Sequence, residues 1–228
     1  MRNLRIPYQA QAVEIIVVFR YRYLMHTAVI DIGKPGKNLG WALSGPTPCD
    51  GTDLDACIDA VAAALLVGPV ALGFEAPMFV PVRDDPMALT KARSGEAAQG
   101  VSRPFSASAG ATVLVTALVV VPYVLTRLRK LAPRARATMD WRSPLDDRAD
   151  LLLFEAFVTN QRKSTDTRHV EDAHLAIVAF QTGMRDPRAF ASAVVEPDCL
   201  SLLGAAMLRA GWASDPAVIA EPCLVVRA

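Results

Sequence analysis

The hydrophobic positions of this chain fall into short apolar runs and longer segments with helical spacing. Four runs are rich in large or β-branched residues and end at glycine, proline or polar segments, which is typical of buried strands. The last run also fits a short helix, because Leu, Glu and Ala are helix formers. The runs occupy residues 27–32 (TAVIDI), 39–43 (LGWAL), 70–77 (VALGFEAP) and 151–158 (LLLFEAFV).

Apolar residues at helical spacing predict four helices between and after these strands. Thr52 or Asp53 is the expected N-terminal cap of the first helix, and glycines end the first, third and fourth. Two weaker signals predict a short strand over 192–195 and an edge strand in the C-terminal CLVVR. The helices are predicted over residues 53–67, 109–131, 169–182 and 199–210.

The order of these elements predicts an α/β fold. The turn formers KPGKN separate the first two strands, which indicates an antiparallel β-hairpin. The later strands alternate with helices, and this alternation is typical of parallel pairing. We therefore expect three layers, in which a mixed sheet opens with an antiparallel hairpin and is flanked by helices.

Two segments stand apart from this alternation. The first is an insert at about 78–108 that is rich in Pro, Gly and Ser, and loops of this length are usually functional or mobile. The second is an N-terminal extension, 1–24. It is either an additional strand or helix or the result of an upstream start, because Met25 directly precedes the first strand. The prediction is a single domain over 25–228.

Composition and charge restrict the possible settings and partners. The net charge of +1 gives no overall basic character, so any nucleic-acid binding needs a local patch. The four cysteines match no zinc or disulfide spacing, which favours a reducing cytoplasm. An uncharged stretch over 104–126 approaches the length of a membrane helix. Pro122 and several Ser and Thr residues interrupt it, so we favour a core helix and no membrane.

Five acidic residues are the candidate chemistry. Asp31, Glu75 and Glu155 interrupt apolar strands, and Glu171 and Asp172 lie in the first turn of the third helix. Converging carboxylates repel each other until a cation binds, and oxygen ligands favour Mg²⁺ or Mn²⁺. Two such ions about 4 Å apart activate water and stabilise the leaving oxygen in phosphodiester cleavage. Each residue also has a plain structural interpretation: Asp31 as a turn cap, Glu75 as an arginine partner, Glu155 as a solvent-facing helix residue, and Glu171 and Asp172 as complements to a helix dipole.

Several segments together resemble a known superfamily. DIGKPGKNLGWAL, GFEAPMFVPVRDDP, RPFSASAGA, LFEAFVT and HVEDAHLAIVAF are similar to segments of RNase H-like proteins, including Holliday-junction resolvases. They most resemble bacterial proteins predicted to be RNase H-like nucleases, and the resemblance covers most of residues 27–182. It implies an RNase H-like fold and a metal-dependent nuclease. Asp31, Glu75 and Asp172 would then bind Mg²⁺ or Mn²⁺, with Glu155 or Glu171 as a fourth acid.

Basic residues provide candidate contacts to nucleic acid. A basic run over 127–142 includes Arg129 and Lys130 and ends beside Trp141, which could stack on a base. The favoured interpretation of the run is a solvated helix end that complements the helix dipole. Arg83, Arg93 and Arg103 lie in the insert and could reach over the acidic residues.

Two alternatives to a nuclease remain open at this stage. One is a catalytically inactive RNase H-like binding module, whose acids would be paired with arginines. The other is an actin/hexokinase-like phosphotransferase, because DIGKPGKNLGWAL also resembles the phosphate hairpin of that fold. The sequence contains no second Gly-rich phosphate loop. The histidines are expected to be structural or exposed, although His169 beside Asp172 could assist proton transfer. A homodimer is a further open possibility.

Overall fold

The computed structural model describes residues 25–97, 104–142, 149–158 and 168–228, so the extension 1–24 and Arg103 lie outside the described residues. The helices are α1 (Leu54–Val67), α2 (Ser108–Leu131), α3 (Arg168–Gly183) and α4 (Leu202–Ala210). The strands are β1 (His26–Asp31), β2 (Gly40–Ser44), β3 (Cys49–Gly51), β4 (Val70–Glu75), β5 (Phe79–Pro81), β6 (Ala137–Thr138), β7 (Leu151–Phe157), β8 (Cys199–Ser201) and β9 (Val225–Arg227).

Within the described ranges, seven strands form one mixed sheet. Its order is β3-β2-β1-β4-β7, and both β6 and β9 pair with the outer edge of β7. β2 is antiparallel to β1 and β3, whereas β1, β4 and β7 are parallel. The strands β5 and β8 form a separate antiparallel pair. The expected mixed α/β sheet with an opening hairpin is confirmed.

Helices cover both faces of the sheet. Side chains alternate along each strand, so one set packs with α1, α2 and α4, on what we call the α2 face. The other set packs with α3 on the opposite side, the α3 face. On the α3 face, Phe154 and Phe180 stack with ring centroids 4.3 Å apart. Gly73 leaves room for the Phe154 ring, because a Cβ at Gly73 would overlap it.

Local sequence signals explain the first turn and the first helix. Gly36 has a φ of 74° in the β1–β2 turn, and the side chain of Asn38 accepts a hydrogen bond of 2.8 Å from the backbone N–H of Lys34. The Asp53 side chain caps α1 by accepting from the backbone N–H of Ala56 at 2.7 Å. Asp53 is one of the two caps expected from the sequence.

Several short elements differ from the sequence expectations. β3 lies where the sequence predicts no strand, and the short strand predicted over 192–195 is not observed. The segment 199–201 is strand β8 rather than the start of a helix. The segment 151–158 is a strand over Leu151–Phe157, which settles the choice between strand and helix. The described part of the insert contains β5 and a 3₁₀ turn at Pro86–Ala88.

Helix α2 combines a buried side with an exposed apolar side. Ala117, Val121 and Leu125 are fully buried, whereas Val115 and Val119 are more than 60% exposed. Among the described residues, α2 is the one helix long and apolar enough to cross a membrane by length and composition. Only 33% of its most apolar stretch is buried. Core helices can be equally long and apolar, so α2 is weak evidence for a membrane span.

Candidate metal centre

Two acidic side chains lie next to each other where strands β1 and β4 end. Asp31 is the last residue of β1, Glu75 is the last residue of β4, and the two are register partners in the parallel pairing. Neighbouring strands lie about 4.8 Å apart, and register partners point to the same side of a sheet. Both side chains share the alternation of Val29 and Ala71, so they point to the α3 face.

The first turn of α3 adds a histidine and another carboxylate. His169 and Asp172 are three residues apart, which places their side chains on one side of the helix. Gly40 allows this turn to approach the sheet, because a Cβ at Gly40 would overlap the backbone of His169 and Val170. Gly40 is also the register partner of Asp31. The start of α3 is therefore held directly beside the end of β1.

Asp31, His169 and Asp172 form one compact group, which we call the Asp–His–Asp cluster. One ligand atom from each residue lies within 4.8 Å of the other two. Nδ1 of His169 is 2.5 Å from Oδ2 of Asp31. The carboxylates are buried, with Asp31 6% and Asp172 3% exposed, whereas the side chain of His169 is 30% exposed. The acids thus lie inside, and the imidazole borders the solvent.

The Asp–His–Asp cluster could hold a metal ion. Two carboxylates removed from water are costly when ionised unless they are paired, hydrogen-bonded or bound to a metal. Catalytic metal sites typically use three protein ligands and leave further positions for water or substrate. The three donor residues and the exposed edge of His169 match that arrangement. The positive end of the α3 dipole adds a favourable field for the carboxylates.

Glu75 and Glu171, two other predicted ligands, lie near the cluster but are not part of it. Glu75 is half-buried at the neighbouring strand end, and Glu171 is half-buried in the first turn of α3. Neither belongs to the described group whose ligand atoms all lie within 4.8 Å of one another. Glu171 precedes Asp172 by one residue, which turns its side chain by about 100° around the helix.

Glu155, which was predicted to be a catalytic acid, does not join the cluster. It is the register partner of Phe74 in β4 and shares the alternation of Leu153, so it points to the α2 face. Its carboxylate is bound by Arg93, with Nη2 to Oε1 at 2.6 Å and Nη1 to Oε2 at 2.9 Å. The backbone N–H of Met78 also donates to Oε2 at 2.8 Å. Glu155 is therefore a structural partner of the insert.

Arg93 and two glutamates form a buried ionic network. Arg93 is 2%, Glu96 0% and Glu155 1% exposed, and Nε of Arg93 donates to Oε1 of Glu96 at 2.7 Å. Burial alone would lower the pKa of Arg93, but Glu155 and Glu96 raise it above the usual value. The guanidinium therefore stays charged and connects the insert to the end of β7. No sequence signal linked these three residues, because Arg93 and Glu155 are 62 residues apart.

Two of the predicted basic contacts, Arg83 and Arg129, have structural partners. Arg83 donates to the backbone carbonyls of Ala88 and Lys91 and pairs with Glu196 at 3.0 Å, so it organises the insert. Arg129 donates to the carbonyl of Ala135 at 2.6 Å. Lys130 is exposed near the end of α2, the helix that packs on the opposite face from the Asp–His–Asp cluster.

Trp141 is not placed to stack on a base. Its side chain is 7% exposed and packs in the core of the α3 face. Its indole N–H donates to the carbonyl of Phe190 at 3.0 Å. The guanidinium of Arg142 lies over the Trp141 ring, 4.2 Å from the ring centroid. The tryptophan of the basic run is a structural residue.

His169 is the cluster member that sequence reasoning did not count as a ligand. The sequence suggests it only for proton transfer, because a single histidine near a helix start has many ordinary roles. The available signal was its spacing from Asp172, which matches the i, i+3 pairing of ligands on one helix side. The contact with Asp31, 138 residues away, then separates it from His174 on the same helix, which contacts Asp50 instead.

Fold and site together define a mixed α/β protein with a carboxylate–imidazole cluster at the carboxyl end of its central strand. Comparisons with protein-family models, curated proteins and solved structures give no significant match. The functional argument therefore depends on the cluster itself.

Proposed function

We propose that this chain is a divalent-metal-dependent nuclease with an RNase H-like fold that hydrolyses phosphodiester bonds in nucleic acid. The observation that carries the proposal is the convergence of Asp31, His169 and Asp172 within 4.8 Å. The strand order β3-β2-β1-β4-β7, with β2 antiparallel to both neighbours, supports the fold. Mg²⁺ and Mn²⁺ are the ions expected from the carboxylates.

Each residue has a distinct role in the proposed reaction. A bound divalent ion would supply Lewis-acid activation of a water and of the phosphate. Asp31 and Asp172 would hold it from the buried side and His169 from the solvent side, which leaves room for substrate. Glu75, at the adjacent strand end on the same face, would accept a proton from the attacking water. The water oxygen bonds to phosphorus, one P–O ester bond breaks, and the leaving oxygen takes up a proton.

The contact between His169 and Asp31 favours a second candidate, a binding module without catalytic activity. At 2.5 Å, a ring N–H of His169 can donate a hydrogen bond to the carboxylate of Asp31, so this carboxylate has a partner without any ion. Such a protein would keep the fold and bind no metal at this position. Calorimetric titration with Mn²⁺ separates the two candidates.

The test of the nuclease is cleavage of labelled single-stranded and duplex DNA and RNA with Mn²⁺ or Mg²⁺. Asp31→Asn should lower the cleavage rate at least about 100-fold, because it removes a charged ligand of the ion. Asp50→Asn is the matched control. Asp50 also pairs with a histidine, His174, at 3.0 Å, but that pair is exposed and lies outside the cluster.

The control variant should cleave within about twofold of the unmodified protein. Cleavage that survives Asp31→Asn would refute the proposed centre. Absence of both cleavage and Mn²⁺ binding at this cluster would favour the binding module.

A further inference from the structure

The donor atoms of the Asp–His–Asp cluster point to the kind of ion that it prefers. We propose that the centre binds one divalent transition-metal ion, such as Mn²⁺ or Zn²⁺, in preference to Mg²⁺, and that His169 is the source of this preference. The inference rests on the metal centre of the proposed function and narrows its choice of ion. It concerns binding and does not require catalysis.

The imidazole carries the argument for selectivity. Mg²⁺ prefers oxygen ligands and keeps much of its water, whereas imidazole nitrogen suits transition metals. In the cluster, a ring nitrogen of His169 lies with the carboxylates of Asp31 and Asp172 in a group whose ligand atoms are within 4.8 Å of one another. An ion that shares all three donors gains a nitrogen bond that Mg²⁺ makes poorly.

The position of the acids indicates one ion rather than a pair. A two-ion centre needs carboxylates that bridge or flank both ions about 3.5–4 Å apart. Among the described residues, the groups that meet the ligand spacing are Asp31, His169 and Asp172 alone. Glu155 is bound to Arg93 on the opposite face of the sheet, so it is not available as a further ligand.

Loading of an ion requires a small movement of His169. When two ligand atoms each lie about 2.1 Å from one ion, they are roughly 3 Å apart or more. Nδ1 of His169 and Oδ2 of Asp31 are closer than this, at 2.5 Å. The imidazole side chain is 30% exposed and lies in the first turn of α3, so it has space to turn outward. Asp31 and Asp172 are buried and remain in place.

The experiment is competitive titration of the full chain with Mn²⁺, Zn²⁺ and Mg²⁺, combined with pulsed electron paramagnetic resonance of the Mn²⁺ form. We expect Mn²⁺ and Zn²⁺ to bind at least tenfold more tightly than Mg²⁺. The Mn²⁺ spectrum should show coupling to an imidazole nitrogen. His169→Asn should remove the nitrogen coupling and lower Mn²⁺ affinity at least tenfold, while Mg²⁺ affinity changes less than threefold.

His174→Asn is the matched control, because His174 lies on the same helix and pairs with Asp50 outside the cluster. It should keep both the coupling and the Mn²⁺ preference. Equal affinity for Mn²⁺ and Mg²⁺, or a Mn²⁺ spectrum without nitrogen coupling in the unmodified protein, would overturn the inference even if His169→Asn fails to fold. Selective binding without cleavage would leave the inference intact and refute the nuclease. Mg²⁺-dependent cleavage without selective binding would support the nuclease and refute the inference.

Discussion

At the scale of single residues, the face of the sheet decides what each carboxylate does. Asp31 and Glu155 both sit in buried strands near the same end of the sheet. Asp31 points to α3 and meets His169, whereas Glu155 points to the α2 face and is bound by Arg93. The same residue type is therefore a candidate ligand in one strand and a structural ion partner in another.

Glu155→Gln tests the structural role. The change removes one charge of a buried network and leaves the Arg93 guanidinium incompletely compensated. We expect the free energy of unfolding to fall by about 3–5 kcal/mol in urea denaturation. Affinity for Mn²⁺, measured in the fraction that remains folded, should not change.

Asp55→Asn is the matched change of a carboxylate to an amide in an exposed pair. Oδ1 of Asp55 lies 3.9 Å from Nη2 of Arg127, and both side chains are about half exposed. The expected loss of stability is below about 1 kcal/mol. Equal losses for the two variants would show that the Arg93 network adds no more than a surface pair.

At the scale of elements, the centre depends on how closely α3 approaches the β1–β2 hairpin. Gly40 allows the contact, and Asp31 is its register partner. Further along α3, Ala176 and Phe180 are buried in the core of the α3 face, and Gln181 donates to the Ser44 hydroxyl at 2.7 Å. The helix is thus fixed along the sheet as far as the end of β2, and its first turn carries His169 to the end of β1.

Gly40→Ala should damage the centre without unfolding the protein. The added methyl group would push the first turn of α3 away from the sheet and separate His169 from Asp31. We expect Mn²⁺ affinity to fall at least tenfold by calorimetry. The far-ultraviolet circular dichroism spectrum should stay close to that of the unmodified protein.

The control for this change is Gly211→Ala. Gly211 has a φ of 77° after α4, with nothing within 4 Å of the position of an added Cβ. Its replacement should cost about 1–2 kcal/mol of stability and leave Mn²⁺ affinity unchanged. If Gly40→Ala binds Mn²⁺ as well as Gly211→Ala does, the position of α3 is not what holds the ligands together.

The long elements of the fold could be predicted from sequence, whereas the short ones and the partners of the acids could not. α1 and α3 have clear helical spacing, and β1, β4 and β7 are apolar runs with distinct ends. Strands such as β3 and β6, with three and two residues, are too short to show periodicity. β7 is apolar on both faces, so its sequence does not reveal which way Glu155 points.

At the scale of the whole molecule, a bound ion would connect parts that are distant in sequence. Asp31 belongs to the first strand of the described fold, and Asp172 lies 141 residues later in α3. A ligand that binds only the folded state stabilises it by a free energy that grows with the logarithm of the ligand concentration above its dissociation constant. Metal binding at the cluster should therefore be visible in the unfolding of the entire sheet.

Thermal unfolding provides the corresponding prediction. With free Mn²⁺ at 100 times its dissociation constant, the stabilisation is about 2.7 kcal/mol. For a chain of this size, Tm should rise by roughly 5–10 °C. Asp31→Asn should abolish the rise, and Asp50→Asn should retain it. A rise that is equal in all three proteins would indicate binding elsewhere.

The most direct measurement is a crystal structure of the protein soaked in Mn²⁺, with anomalous diffraction used to locate the ion. The account predicts a single anomalous peak coordinated by a carboxylate oxygen of Asp31, a carboxylate oxygen of Asp172 and Nδ1 of His169. It also predicts that the Arg93–Glu155 pair stays intact. A fully soaked crystal in which His169 still contacts Asp31 and no peak lies between the three side chains would contradict the account.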